Sequence, residues 1–473
     1  MKLTMFRHAL EGRSLLLAPL LAGMLLLLLP LGVRADSFTV DLLTDTGSRG
    51  YCNRPGITGQ CTLREAITAS NANGQWNNIY LPKGNYFLTR ALPPITSSLN
   101  IQGDGPDGPN ATVIWGPCDK KLEMKGRDSV GHCDLFEAGK PEFRVFNIAA
   151  GVRVGLFEMT IRGGQGSSDV SGPKGGAGIL NQGNLELHHV TVMGNIAHNG
   201  GGGIETIGGS SLLLGNSTVR DNFSHHGPGG GIVIAPNSTV WIWNSTISGN
   251  RVNNSEWSGG NQGSKDAAGG ILNANPGEAW LTSVTITANG ARTLAESKRT
   301  GGVRNRPNAK FFFANTIIAS NNILRVSPET NCTGELITLR GNLVEREASP
   351  QDGCNIKDWE STPLQRPTDV IGNFFPDEIF VTDNVDPSSA SPVLRNNGGL
   401  TCTHALCNRR TCFTGNESVA IDKAWQQKPG SGGPFACEAS DQRGATRSTC
   451  DIGAVEANVD TPLHPDLQCS GLK

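Results

Sequence analysis

Over most of the chain, apolar residues come in short runs that alternate with polar ones at period two, bounded by Gly and Asn. That pattern predicts strands rather than helices. The runs also repeat. A Gly-Gly-apolar start, an apolar strand and Thr-(Val/Ile)-x-x-Asn recur in series. The phrase runs from Ile179 to Thr191 and Asn195, Ile204 to Thr218 and Asn222, Ile232 to Thr246 and Asn250, and Ile271 to Thr285 and Asn289. A last member runs from Val303 to Thr316, with its Asn displaced to Asn321, and Met159-Thr160-Ile161 reads as a degenerate earlier one. A unit this short cannot bury its apolar face alone, but equivalent strands stacked in parallel can. The prediction is an all-β solenoid, a parallel β-helix, with Gly and Asn at corners that need left-handed backbone.

Counting from the Thr of each repeat sorts the side chains. Four positions before it stand Leu187, Leu214, Ile242, Leu281 and Phe312; one after it stand Val192, Val219, Ile247, Ile286 and Ile317. These read as inward columns. The alternate positions then face outward. They hold Glu186, Leu213, Trp241, Trp280 and Phe311 in one column, and His188, Gly215, Trp243, Thr282 and Phe313 in the next. Trp241, Trp243, Trp280, Phe311 and Phe313 thus form an expected outward aromatic stripe. Either the C-terminal segment or a long loop covers it, or it is a stacking platform for sugar rings or a partner protein.

The ends differ from the middle. Lys2, Arg7 and Arg13 precede an apolar run from Leu15 to Leu31, which ends at Val33-Arg34-Ala35. This is a secretory signal pattern, residues 1–35, with cleavage expected after Ala35. No later stretch has the length of a membrane span. Thr62-Leu63-Arg64-Glu65 is a capping box opening a short helix. Residues 36–95 read as an N-terminal cap of strand, lid helix and hairpin, with Ile79-Tyr80-Leu81 turning back into Tyr86-Phe87-Leu88-Thr89. Residues 96–325 read as coils, and 326–473 as further coils and a disulfide-rich C-terminal cap. All 12 Cys lie in the exported part, and none falls between 134 and 331. Local pairs Cys52–Cys61, Cys118–Cys133, Cys332–Cys354 and Cys437–Cys450 are expected, although sequence leaves connectivity open.

Cys61-Thr62-Leu63-Arg64-Glu65-Ala66-Ile67, followed by Asn71-Ala72-Asn73, resembles the Cys-Ser-Leu-Arg-Glu-Ala motif of bacterial exported CSLREA-domain proteins. Thr replaces Ser at position 62, which preserves the cap. Asn396 to Thr401, Thr403-His404-Ala405-Leu406, Ala420-Ile421-Asp422 and Asp441-Gln442-Arg443-Gly444 through Cys450-Asp451-Ile452-Gly453-Ala454-Val455-Glu456 resemble the C-terminal portion of that family, called a choice-of-anchor Q domain. The repeat is similar, more weakly, to that of chlamydial polymorphic outer-membrane proteins. The resemblance implies a right-handed parallel β-helix on a secreted or cell-surface protein, with the periplasm as another destination. It implies no defined activity.

Charge and composition narrow the chemistry. Lys+Arg number 40 against 42 Asp+Glu, so no basic field exists to bind nucleic acid. None of the motifs of polygalacturonase-like enzymes, Asn-Thr-Asp, Asp-Asp and Gly-His-Gly, occurs. If the protein is an enzyme, the candidates are His198, Glu205, Asp221, His225 and His226, from loops of successive coils. A His pair with carboxylates suits acid–base work or metal binding. The long loop 251–270, with Trp257, Lys265 and Asp266, would wall a groove over them. Asp441, Arg443, Arg447 and Asp451 read as a salt-bridged cap, and His404 as a structural hydrogen-bonder. The leading expectation is a noncatalytic, adhesin-like binder of a glycan or surface protein, with no cofactor. The alternatives are a lyase or hydrolase of an anionic polysaccharide, with Ca²⁺ if a lyase, and a structural envelope protein. Oligomeric state and metal binding are not legible.

Overall fold

The computed structural model describes residues 36–45, 52, 61–106, 111–118, 142–166, 175–253, 266–292, 299–321, 330–345, 353–359, 369–374 and, in short pieces, 378–455. All belong to one compact unit, Ala35–Lys473. Strands stack coil on coil in parallel register. Asn184–Met193 pairs with Arg153–Arg162 on one side and with Ser211–Gly215 and Thr218–Arg220 on the other. Thr239–Ser248 and Glu278–Thr287 continue the stack. Short strands from Phe146–Ile148 to Arg299–Asn305 form a second wall, and Gln165–Gly166 to Gly290–Arg292 a third. This is a right-handed parallel β-helix. Its interior is filled by stacked aliphatic columns, such as Leu156, Leu187, Leu214, Ile242 and Leu281.

The Asn of each repeat has a different role from the one its composition suggests. None of Asn195, Asn222, Asn250, Asn289 and Asn321 is left-handed; the residue just before each of them is, namely Gly194, Asp221, Gly249, Ala288 and Ser320. The turn frees the Asn side chain to point inward, where all five are buried. There they form a ladder. The backbone N–H and the side-chain amide of Asn195 both donate to Oδ1 of Asn222, at 3.1 and 2.9 Å. Asn222 donates likewise to Asn250, Asn250 to Asn289, Asn289 to Asn321, and Asn321 to Asn331. A buried amide satisfied this way supplies partners that a turn in an apolar interior otherwise lacks.

The coil after Glu278–Thr287 corrects the outward stripe. Phe312 pairs with Trp280 and Phe313 with Leu281, while Ile317 pairs with Thr285. Phe311 and Phe313 therefore point into the core and are fully buried, and Phe312 takes the outward place. Thr316 is not the counterpart of Thr285: it stands opposite Val284, and its hydroxyl accepts from the N–H of that residue. A one-residue slip exchanges every side chain between faces. Asn321 is not displaced: it stands four residues after Ile317, as Asn289 does after Thr285.

The reason for an Ile in the Thr column lies in the C-terminal segment. Apart from Trp359, which meets Trp280 at the edge of the stripe, its residues from 401 onward that are described run along the flank that carries the Thr column. Thr218 donates to the carbonyl of Cys402 at 2.8 Å, and Thr246 to Oε1 of Gln442 at 2.6 Å. Gln442 Nε2 donates to Thr218, Thr401 and the carbonyl of Ser217. The N–H of Ala454 donates to Thr285. Ser248 shares a 2.8 Å hydrogen bond with His404, and Asp441 pairs with Arg443. Gly453, at φ +104, lies so close over Thr285 and Ile317 that a Cβ would meet both. Ile317 and Leu343 face an apolar core built from Phe380, Leu406, Ile421 and Ile452, so a hydroxyl there would lack a partner. Gln442→Ala should cost about 2–3 kcal/mol, because it leaves buried hydroxyls and a carbonyl unmatched. Hydrogen exchange at Arg447 and Ala454 should quicken while the coil strands stay protected; unchanged exchange would contradict this docking.

At the N-terminal end the helix Leu63–Asn73 carries the expected capping box and stops at left-handed Gly74. It lays Leu63, Ala66 and Ile67 on the main core. The expected hairpin is absent. Asn77–Tyr80 and Gly84–Phe87 each pair in parallel with a strand of the next coil, Leu99–Gln102 and Thr112–Trp115. The turn between them is a coil corner, so the solenoid begins before residue 96. Disulfides join Cys52 to Cys61, Cys332 to Cys354 and Cys437 to Cys450. Cys118 is also disulfide-bonded, and Cys133 lies outside the described residues. Among the described residues, no helix is long and apolar enough to cross a membrane.

Candidate functional site

Period-two alternation over the strands Ser211–Gly215, Thr239–Ser248 and Glu278–Thr287 turns one set of side chains to the outside of the long sheet. Trp241 stands in the middle of that face and is 37% exposed. In register beside it lie Leu213 on one coil and Trp280 on the next. Trp243 follows two residues along the same strand. Its indole lies over Gly215, where a Cβ would collide with the ring. The glycine in the outward column is therefore the slot that lets Trp243 lie flat. Trp280 is more covered: it stacks on Phe312 at 4.0 Å between ring centroids, and Trp359 meets it edge-on. Glu278 accepts the Trp280 indole N–H at 2.6 Å. The described platform is thus Trp241, Trp243 and the Trp280–Phe312 pair. Phe311 and Phe313 are not part of it.

A histidine pair bounds the face. His188 shares a 2.7 Å hydrogen bond with Asn216, and its ring lies 6.4 Å from that of Trp243. His189 holds a left-handed corner, φ 53, at the position that Asn216, Asn244 and Asn315 fill in later coils. Burial, with the neighbouring His188 as a second cause, pushes its pKa down to about 4 from 6.5. The unfolded chain then binds the extra proton between those values, so His189 lowers stability as pH falls from 6.5 toward 4. His189→Asn should flatten that part of the stability–pH curve while keeping the corner. A titration of unfolding midpoint against pH checks it, and an unaltered slope would contradict the assignment.

The loop candidates fall into two groups. His226 N–H donates to the carbonyl of His198, so the two loops stack. The rings of His198 and His226 are 4.9 Å apart, those of His198 and His225 6.5 Å, and Phe223 packs edge-on against His225. Glu205 opens the following wall; its carboxylate accepts from the N–H of Gly201 at 3.1 Å. Burial pushes its pKa up, opposed by that hydrogen bond and by Arg144. Asp221 does not join them. It occupies the left-handed corner before Asn222, pairs with Arg220 at 2.9 Å, and is separated from His225 by the strand Phe223–Ser224. Asp266 pairs with Arg304 at 2.8 Å, and Trp257 and Lys265 lie outside the described residues. Among the described residues, no group of three or more His, Cys, Asp or Glu is arranged to hold a metal ion.

The fold and this face define a right-handed parallel β-helix protein with an outward aromatic platform. No family model matches the chain, and no curated protein matches it. Among solved structures, pectate lyase Pel9A is similar at 13% identity over 90% of this chain and 98% of that one, with a TM-score of 0.36. Rice weevil pectin methyl esterase is similar at 10% identity over 63% of this chain and 86% of that one, TM-score 0.25. The A-module of the Azotobacter vinelandii mannuronan C-5 epimerase AlgE6 is similar at 12% identity over 66% and 93%, TM-score 0.17.

Proposed function

We propose that this is an exported, noncatalytic glycan-binding protein that holds saccharide on the face around Trp241. The observation that carries the reading is Trp241 itself. It is a large aromatic left 37% exposed on a rigid sheet, with Trp280 in register beside it and Trp243 two residues along its own strand. Aromatic faces suit the C–H faces of sugar rings, and a flat-lying, pre-positioned indole loses little freedom on binding. The disulfides fit an oxidising compartment, and the signal-like leader and CSLREA-like and choice-of-anchor Q-like motifs fit a surface or secreted destination. The flank opposite in role, the Thr column, is occupied by the protein's own C-terminal segment. Trp241→Ala should weaken glycan binding about tenfold or more with an unchanged melting temperature. Equal affinity of the variant and the parent, measured by affinity electrophoresis against a polysaccharide panel, would sink the reading.

A further inference from the structure

The polar side chains around the platform define which saccharide it takes. Between Arg153 and Glu278, in the outward column two positions before the Trp241 column, stand Asn184, Ser211 and Thr239 on three successive coils. They form a rail of uncharged hydrogen-bonding groups, and Ser211 already donates to Asn184 at 2.6 Å. Thr282 supplies a further hydroxyl on the other side of Trp280. The cations toward the ends of this sheet are each held by a carboxylate or a ring. Lys310 lies 4.0 Å from Glu278, Lys357 2.5 Å from Glu335, and Arg340 2.6 Å from Asp358. Arg153 lies over the ring of Trp76. Glu186, exposed on the coil two before Trp241, carries a negative charge toward the same face.

A polyanion such as a uronate polymer needs cations to offset its charge and desolvation. This face offers it matched cations and a carboxylate. An uncharged polysaccharide needs only ring-stacking surfaces and neutral donors and acceptors, and the rail beside the indoles supplies both. We propose that the ligand of the Trp241 face is an uncharged polysaccharide. This inference rests on the reading of that face as a glycan platform.

The test uses the full chain with its native disulfides in affinity electrophoresis. The neutral gels contain galactomannan, xyloglucan or laminarin, and the anionic gels polygalacturonate or alginate. At least one neutral polymer should retard the protein, with a change under about twofold between roughly 20 and 500 mM salt, because screening acts on charge pairs alone. Trp241→Ala should abolish that retardation, and Glu186→Gln should leave it in place. Retardation confined to anionic polymers and lost in Trp241→Ala would overturn the uncharged ligand while leaving the platform intact. Retardation by any polymer that persists in Trp241→Ala, or none by any polymer, would overturn the platform reading and this inference with it.

Discussion

Asn250→Ala is expected to destabilise the middle coils by about 3–5 kcal/mol. The residue is fully buried. Its Oδ1 accepts from both the backbone N–H and the side chain of Asn222, at 3.1 and 2.9 Å. Its amide donates to the carbonyl of Val219 at 2.9 Å and to Asn289 at 3.0 Å. Alanine leaves a backbone donor, two side-chain amide groups and a carbonyl short of partners in an apolar interior. Each such group costs about 1–3 kcal/mol when desolvated without a partner. Hydrogen exchange should localise the loss to the corners at Asn222 and Asn289, because a solenoid coil contacts chiefly its neighbours. Asn78→Ala, on an outward position of the first coils, should shift the denaturation midpoint hardly at all. A ladder variant costing no more than that control would show that the Asn column is ornamental.

Breaking the buried pair in the N-terminal cap should have a comparable effect. Arg64 and Asp45 meet through two 2.7 Å hydrogen bonds, and Asp45 also accepts from the N–H and hydroxyl of Thr89. Arg64 donates further to the carbonyls of Arg90 and Ala91, which ties the helix to the chain leaving the next strand. Asp45→Ala strands a buried guanidinium, at about 3–5 kcal/mol. The double variant Asp45→Ala/Arg64→Met should recover part of that loss, which separates an orphaned charge from simple lost packing. The pair also sets an acid limit. Burial raises the Asp45 carboxyl, but the hydrogen bonds from Arg64 and Thr89 outweigh it and hold the group below 3.8. A depressed folded value gives stability that is present above 3.8 and lost as pH falls through the folded value. The cap should therefore loosen below about pH 4 in the parent and show no such step in Asp45→Ala. An equal acid response in both would refute the assignment.

Much of this is legible in the sequence. Thr62 and Glu65 announced the cap, and the repeat announced the solenoid. Trp241, Trp243 and Trp280 were placed outward because alternation is a local property of extended backbone. Phe311 and Phe313 were misplaced because Thr316 imitates the Thr of the earlier repeats. The constant four-residue interval to the ladder Asn was the signal that locates Ile317 in that place. The Asn column itself was legible as a column, but its purpose was not. Composition associates Asn with left-handed corners, whereas here the preceding residue makes the turn and the Asn reaches inward. The hairpin expected over residues 79–89 does not form for a related reason. A short polar turn between two strands serves a hairpin and a solenoid corner equally well, and only the strands of the next coil distinguish them.

The frequent Gly that marked the corners therefore also marks close approaches: Gly215 under Trp243, and Gly453 over Thr285 and Ile317. Sequence alone determined the coil, its inward columns as far as Leu281 and Ile286, and the outward sense of the tryptophans, since stacking like on like is written in those repeats. Tertiary structure alone decided what covers what. It placed the C-terminal segment on the Thr flank, separated Asp221 from the histidine loops, and left Trp241 open. Those outcomes depend on contacts between residues as far as 225 positions apart, such as Gln442 with Ser217 and Thr218. No local period carries such information, because a hydroxyl column docks a strap or meets solvent with the same sequence pattern.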